Sequence, residues 1–148
     1  MWLPLDESAR LVMVGAQQEA QRLGHDFIGP EHLLLAIVSN KNPTSELLGK
    51  HGIGYDTLRV QVERLAAPRK SAAPPEIVFT PEGKRCVERA FEAARALKCG
   101  YIGAEHLFIG ITFLGEESVA TRALSELAPD VSTLRAEVTA HVKGSEPE

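Results

Sequence analysis

Two short segments concentrate the groups able to do chemistry: Gly29-Pro30-Glu31-His32 and Gly103-Ala104-Glu105-His106. Each sets a carboxylate and an imidazole behind a glycine. A metal site is one reading, with His25 and Cys99 nearby in sequence. It fits poorly, because adjacent residues on a helix project about 100° apart. The H-E-x-x-H spacing of a helical metal site is also missing. A histidine satisfied inside its own fold is the simpler expectation. A cysteine nucleophile fits no better. Cys86 stands between Arg85 and Val87 with no base and orienting group to complete a triad. The chain is therefore read as a non-enzyme, with no metal and no cofactor. What remains is a glutamate in the first turn of a helix. The macrodipole alone favours one there, so a structural role and a ligand-binding role stand side by side.

The elements that position these segments come in two copies. Phe27-Ile-Gly-Pro-Glu-His-Leu-Leu-Leu-Ala-Ile37 and Tyr101-Ile-Gly-Ala-Glu-His-Leu-Phe-Ile-Gly-Ile111 share six of eleven residues at an offset of 74. The offset continues upstream, where Leu5 matches Phe79 and Asp6 matches Thr80. Downstream it becomes 76, so that Leu48 matches Leu124 and Leu58-Arg59 matches Leu134-Arg135. The two extra residues fall near Gly115-Glu116-Glu117, in an expected loop, where a duplicated chain tolerates insertion.

Each half reads as four helices. The first are expected over Glu7–Leu23, capped by Asp6, and Pro81–Lys98, capped by Thr80 with Pro81 at the first helical position. In the former, Leu11, Val14 and Gln18 continue one face, and Val12, Ala16, Ala20 and Leu23 form a second apolar stripe. The second helices follow Gly29 and Gly103. Their apolar runs, Leu33–Val38 and Leu107–Leu114, mark the buried centre of each half. Third helices are expected near Thr44–His51 and Ser118–Leu127, and fourth helices near Asp56–Ala66 and Ser132–Val142. In the last pair Leu58, Val62 and Leu65 face inward. Ile77-Val78-Phe79 is too short to alter an all-α class. The organisation expected is a first repeat over 1–66, a proline-rich linker over 67–78, a second repeat over 79–143 and a flexible tail over 144–148, in one compact domain. Trp2 is a candidate exposed aromatic ahead of the first helix.

Composition narrows the function classes. A net charge of −4 with no basic run removes the electrostatic drive for nucleic-acid binding. No apolar run approaches the roughly 20 residues of a membrane span, and MWLPLDESAR lacks the basic start and apolar core of a signal peptide. Cys86 and Cys99 would lie about 20 Å apart along one helix, too far for a disulfide. Reduced thiols and a cytoplasmic location follow.

The segments Ala20–Leu35 and Ala94–Ile109 resemble the signature of the Clp N-terminal repeat. The likeness spans roughly Leu5 to Val142 in the two-copy arrangement of that family. It implies two four-helix repeats related by a pseudo-two-fold axis. It also implies a module that receives adaptors and protein substrates for a Clp ATPase and its protease. In one branch such domains recognise proteins phosphorylated on arginine through a glutamate of each repeat, matching Glu31 and Glu105. A phosphoarginine-like ligand would set its guanidinium N–H groups against that carboxylate. Its phosphate would meet N–H groups left unbonded at the helix start. The expected ligand contacts are thus Gly29, Pro30, Glu31, Gly103, Ala104 and Glu105. Many relatives carry threonine where Pro30 and Ala104 stand. Neither has a hydroxyl, and Pro30 has no N–H, which weakens the phosphate half of the site. No G-x-x-x-x-G-K-[ST] phosphate loop is present. A start at Met1 and a divergent first repeat favour a stand-alone relative over a piece of an ATPase. Such a relative would act as an accessory or decoy that docks on the protease or competes with the ATPase N-domain for ligands.

Overall fold

The computed structural model describes residues 3–66, 78–115, 118–128 and 130–145. The expectations for Trp2, for 67–77 of the linker and for 146–148 fall outside them. Among the described residues the order is α1 (Glu7–Arg22), β1 (Phe27–Ile28), α2 (Pro30–Ser39), α3 (Pro43–Lys50), α4 (Tyr55–Leu65), β2 (Val78–Phe79), α5 (Pro81–Ala96), α6 (Ala104–Thr112), α7 (Val119–Leu127) and α8 (Val131–Ser145). The all-α reading and the four helices per half hold, with ends shifted by one to three residues. α8 runs to Ser145 and so takes in 144 and 145, where the tail is expected to begin.

Helix starts follow their caps. The Asp6 carboxylate accepts from the Ala9 N–H at 2.9 Å, and the Thr80 hydroxyl accepts from the Gly83 N–H at 2.9 Å. Pro30, Pro43 and Pro81 each open a helix where a missing N–H costs nothing. The ends of α1 and α5 are matched as well. Gly24 (φ 72°) and Lys98 (φ 61°) take the same left-handed position 74 residues apart.

One expectation for α1 is corrected in part. Of its two stripes, Val12, Ala16, Ala20 and Leu23 are buried and are joined by Ala9, whereas Leu11 and Val14 of the other face are 47% and 57% exposed. A helix lying on one neighbour buries one stripe, and small residues let that neighbour approach. α1 packs on α2 in this way, and α5 packs on α6 with Cys86, Ala90 and Ala94 buried. Leu65 of α4 is only half-buried, while Leu58 and Val62 are fully buried. The apolar α2 and α6 lie at the centre, in contact with each other and covered by the remaining helices. Leu48 and Leu124, and Leu58 and Leu134, are buried in pairs, as the offset of 76 requires.

The second correction concerns Val78. It belongs to β2 rather than to a linker, and β2 pairs in parallel with β1, Phe27 opposite Val78 and Ile28 opposite Phe79. The mirror contact joins Leu5 to Ile102. Backbone bonds extend both: Thr80 N–H to Ile28 O at 2.9 Å, Asp6 N–H to Ile102 O at 2.9 Å and Ile102 N–H to Pro4 O at 2.8 Å. Each half therefore holds the Ile-Gly segment of the other. Two residues per strand lie below what a periodicity argument can detect.

Two helix backbones meet closely at Gly110, where an added Cβ would collide with the Cys86 carbonyl and lie 3.2 Å from the Ala90 nitrogen. Both are backbone atoms of α5 and cannot swing aside. Gly110→Ala is expected to destabilise by about 2 kcal/mol or more. Gly49→Ala in α3, with open space around the new methyl, is expected to be neutral or to stabilise by up to about 1 kcal/mol. Urea denaturation of the two variants checks this, and equal stabilities would contradict the packing described.

Candidate binding site

Gly29 and Gly103 are the N-caps of α2 and α6, both with extended backbone, and Glu31 and Glu105 stand at the second helical position. The histidine of each motif is structural. His32 Nδ1 accepts the Gly29 N–H at 2.9 Å, and His106 Nδ1 accepts the Gly103 N–H at 2.9 Å. This is half of a capping box, with imidazole in the role usually taken by glutamate. Because Nδ1 accepts, the proton of each neutral ring sits on Nε2. His32 Nε2 then donates to His25 Nδ1 at 2.7 Å. Burial, followed by His25 and Arg22, lowers the His32 pKa from 6.5 to about 3. In the second half Cys99 occupies the position matching His25, and the buried Nε2 of His106 has no hydrogen-bond partner. Burial lowers its pKa too. No cluster of three or more candidate metal ligands occurs among the described residues.

With the imidazoles committed to the backbone, the carboxylates carry the remaining chemistry. Each folds back over its own N-cap. A Cβ on Gly29 or Gly103 would run into the carboxylate of Glu31 or Glu105. Glycine is thus required by the carboxylate's position, not by backbone dihedrals. Both glutamates have raised pKa values, with burial the largest cause. Each also accepts from its own backbone N–H, which acts in the opposite direction. A second acid adds to the rise in each case, Glu82 beside Glu31 and Asp6 beside Glu105. No ion pair to Glu31 or Glu105 exists among the described residues, although the charge of His141 acts on Glu105 to lower its pKa.

The N–H groups are less available than expected. Pro30 has none. The Ala104 N–H donates to Ser8 Oγ at 3.0 Å, and Ser8 in turn donates to Asp6 Oδ1 at 2.7 Å. The N–H groups of Glu31 and Glu105 face their own carboxylates. Both helix starts are thus largely satisfied from within, and they present negative rather than positive charge.

Sequence reasoning placed Glu31 and Glu105 correctly on their helices and gave Asp6 and Thr80 as caps, but it missed that Asp6, Ser8 and Glu82 stand beside the motifs. The signal was present: Asp6 matches Thr80 and Ser8 matches Glu82 at the offset of 74. What it did not reveal is that the cap of one half lies beside the motif of the other. Away from the carboxylates, Leu5, Met13, Phe79, Lys84, Val87 and Glu88 line an apolar groove of about 440 Å³.

The sequence profile of the Clp repeat (R) N-terminal domain matches residues 4–127. The chain is 42% identical over 133 residues to a ClpA homolog, an ATP-binding subunit of the ATP-dependent Clp protease, from Porphyra purpurea, covering 89% of the chain and 16% of that protein. It is 40% identical, again over 89% of its length, to chloroplastic ClpC1 of Arabidopsis thaliana, of which it spans 14%. The chain therefore covers only a small part of these relatives. Among solved structures it resembles the N-terminal domain of ClpD from Arabidopsis thaliana, with a TM-score of 0.80, 28% identity and 95% of each chain covered. The Hsp104 N-terminal domain from Candida albicans shares the fold, with a TM-score of 0.79 at 16% identity over 97% of this chain and 93% of that one. No described helix is long and apolar enough to cross a membrane.

The histidine geometry has a pH consequence. His32 is neutral when folded down to about pH 3 but protonates near 6.5 when unfolded. The unfolded state therefore gains protons first on acidification. His32's contribution is present above pH 6.5 and is lost as pH falls from 6.5 toward 3. Glu31 and Glu105, with raised pKa values, act in the opposite sense. The ring resonances of His32 are expected to hold their neutral shifts from pH 8 to pH 5 in an NMR titration; a midpoint above 5 would refute the assignment. His25→Cys, which copies the second half, is expected to cost about 1–3 kcal/mol by leaving the His32 Nε2–H unpartnered.

Proposed function

The chain belongs to the Clp repeat N-terminal domain family, and from that premise we propose that it is a receptor for protein segments that recognises arginine side chains through Glu31 and Glu105. At the coarser level the family's N-terminal domain is a non-catalytic module that binds adaptors or substrates for Clp ATPases. The observation that carries the finer reading is a pair of carboxylates with no ion-pair partner among the described residues, Glu31 buried and Glu105 half-buried, each backed by a second acid from the other half. Such a group gains most from a planar cation with several N–H donors, and guanidinium presents two of them in register with a carboxylate.

Gly29 and Gly103 would contribute by leaving room for each carboxylate over its N-cap, and Pro30 and Ala104 would line the approach. With Pro30 lacking an N–H and that of Ala104 held by Ser8, the support is stronger for the guanidinium end of a phosphoarginine than for its phosphate. The partners are adaptors, substrates or subunits of a Clp machine, and the compartment is the cytoplasm on the composition argument alone. A decoy role is the same binding put to another use.

Isotope-labelled chain titrated with arginine, phosphoarginine and phosphoserine distinguishes these ligands by NMR. Shifts at Gly29–Glu31 and Gly103–Glu105 are expected with the first two and not the third. Glu31→Gln and Glu105→Gln should each weaken the local response by roughly tenfold or more. Shifts with phosphoserine alone, or none at all, would remove arginine recognition. Competition between excess chain and a Clp ATPase N-domain for one captured client then tests the decoy use.

A further inference from the structure

The start of α7 carries chemistry of the opposite sign. The duplication supplies an internal comparison, because Ser118, the N-cap of α7, matches Asn42, the N-cap of α3, at the offset of 76. Asn42 is fully committed. Its Oδ1 accepts the Ser45 N–H at 2.8 Å, and its Nδ2 donates to Ile37 O at 3.0 Å and Asn40 O at 3.2 Å. Ser118 makes no cap bond. Its hydroxyl has no partner although the residue is 3% exposed. Thr121, which matches Ser45, turns its own hydroxyl to Gly115 O and Ser118 O instead. A buried hydroxyl left unbonded costs about 1–3 kcal/mol, so its retention calls for a partner.

Ser118 lines a polar cavity of about 150 Å³ together with Glu82, Arg85, Arg89, Phe113 and Leu114. In the first half Leu11 and Gly15 stand where Arg85 and Arg89 stand here. Arg85 has no ion pair among the described residues, and Arg89 reaches Glu92 only at 3.9 Å. The Arg89 guanidinium lies 5.5 Å from the centre of the exposed Phe113 ring. Arg135 covers that ring at 4.1 Å but is bonded to Thr112, so it is not available. Glu82 opposes the two arginines, and Glu116 and Glu117 follow Gly115 in sequence. A wall with two cations and one anion suits a singly charged ligand better than a phosphate dianion.

We propose that this cavity is a carboxylate subsite for a bound protein segment, with Arg85 and Arg89 pairing the carboxylate, the Ser118 hydroxyl donating to it, and Phe113 and Leu114 receiving the adjoining apolar group. The source of the ligand rests on the receptor reading above; the binding of a carboxylate does not. The probes are N-acetyl-phenylalanine, its amide, and N-acetyl-aspartate amide, titrated into the labelled full chain. The free acid should shift the backbone amides of Ser118–Ala120 and the Arg85 and Arg89 Nε–H signals, while the amide leaves them in place. A response to N-acetyl-aspartate amide as well would make an acidic side chain an equal source; a response confined to N-acetyl-phenylalanine would make it a chain end. Arg85→Gln and Arg89→Gln, both surface changes, should weaken binding about tenfold or more with unchanged thermal melts, and Ser118→Ala should weaken it roughly threefold while melting no lower than the parent, since it removes a buried unbonded hydroxyl. No shift with either acid, equal shifts with the amide, or shifts that persist in the double arginine variant would overturn the subsite. Arginine titration reads different resonances, at Gly29–Glu31 and Gly103–Glu105, so the two proposals fail separately.

Discussion

The fold turns on the exchange of short strands between its two halves. Val78-Phe79 pairs with Phe27-Ile28, and Leu5 bridges to Ile102. Few backbone bonds are involved, yet they fix where α1 and α5 begin relative to α2 and α6. The Asp6 N–H and Thr80 N–H that bond to Ile102 O and Ile28 O belong to the caps of α1 and α5. Each carboxylate site consequently needs both halves. Half a chain would bring Glu31 without Glu82, or Glu105 without Asp6.

That exchange lets an otherwise costly group be buried. An isolated carboxylate loses hydration on burial, and the rise in pKa of Glu31 and Glu105 measures part of this loss. The partial positive charge of the helix start and the bond from each residue's own N–H offset some of it. Histidine contributes indirectly. By accepting the N-cap N–H, His32 and His106 leave the carboxylates free of the usual capping duty. A glutamate at that third position would close the box itself and add a third negative charge. Neutral imidazole closes it without charge, at the expense of a ring that must stay unprotonated.

Much of this was legible from sequence because it is repetitive and local. The duplication, the caps Asp6 and Thr80, the glycine N-caps and the apolar central helices all follow from residue types at fixed spacing. The strands were not legible, since two residues per strand carry no period. The choice between the two stripes of α1 was not legible for a related reason. Leu11 and Val14 are more apolar than Ala9 and Ala16, but the neighbouring helix selects for small residues, and hydrophobicity alone does not rank size. The additional acids of each site were missed for a topological reason, as their partners lie in the other half of the chain.

The pairs of matched positions also show that the two sites are not equivalent. Where packing or the cap dictates the residue, the halves agree: Ile28 and Ile102, Gly29 and Gly103, His32 and His106. Where only local support is needed, they diverge: Gly24 against Lys98, His25 against Cys99, Pro30 against Ala104, Asn42 against Ser118. The divergence has a direction. In the first half the support is complete, with His25 completing His32 and Asn42 completing α3, and Glu31 is only 8% exposed. In the second half His106 and Ser118 keep unpartnered polar atoms, and Glu105 is half-buried rather than buried. Groups with unmet hydrogen-bonding capacity in a more open setting gain more from a ligand than groups already satisfied. On the proposed reading the second half is therefore the one expected to gain more from a ligand, and the first half is the better-consolidated part of the scaffold.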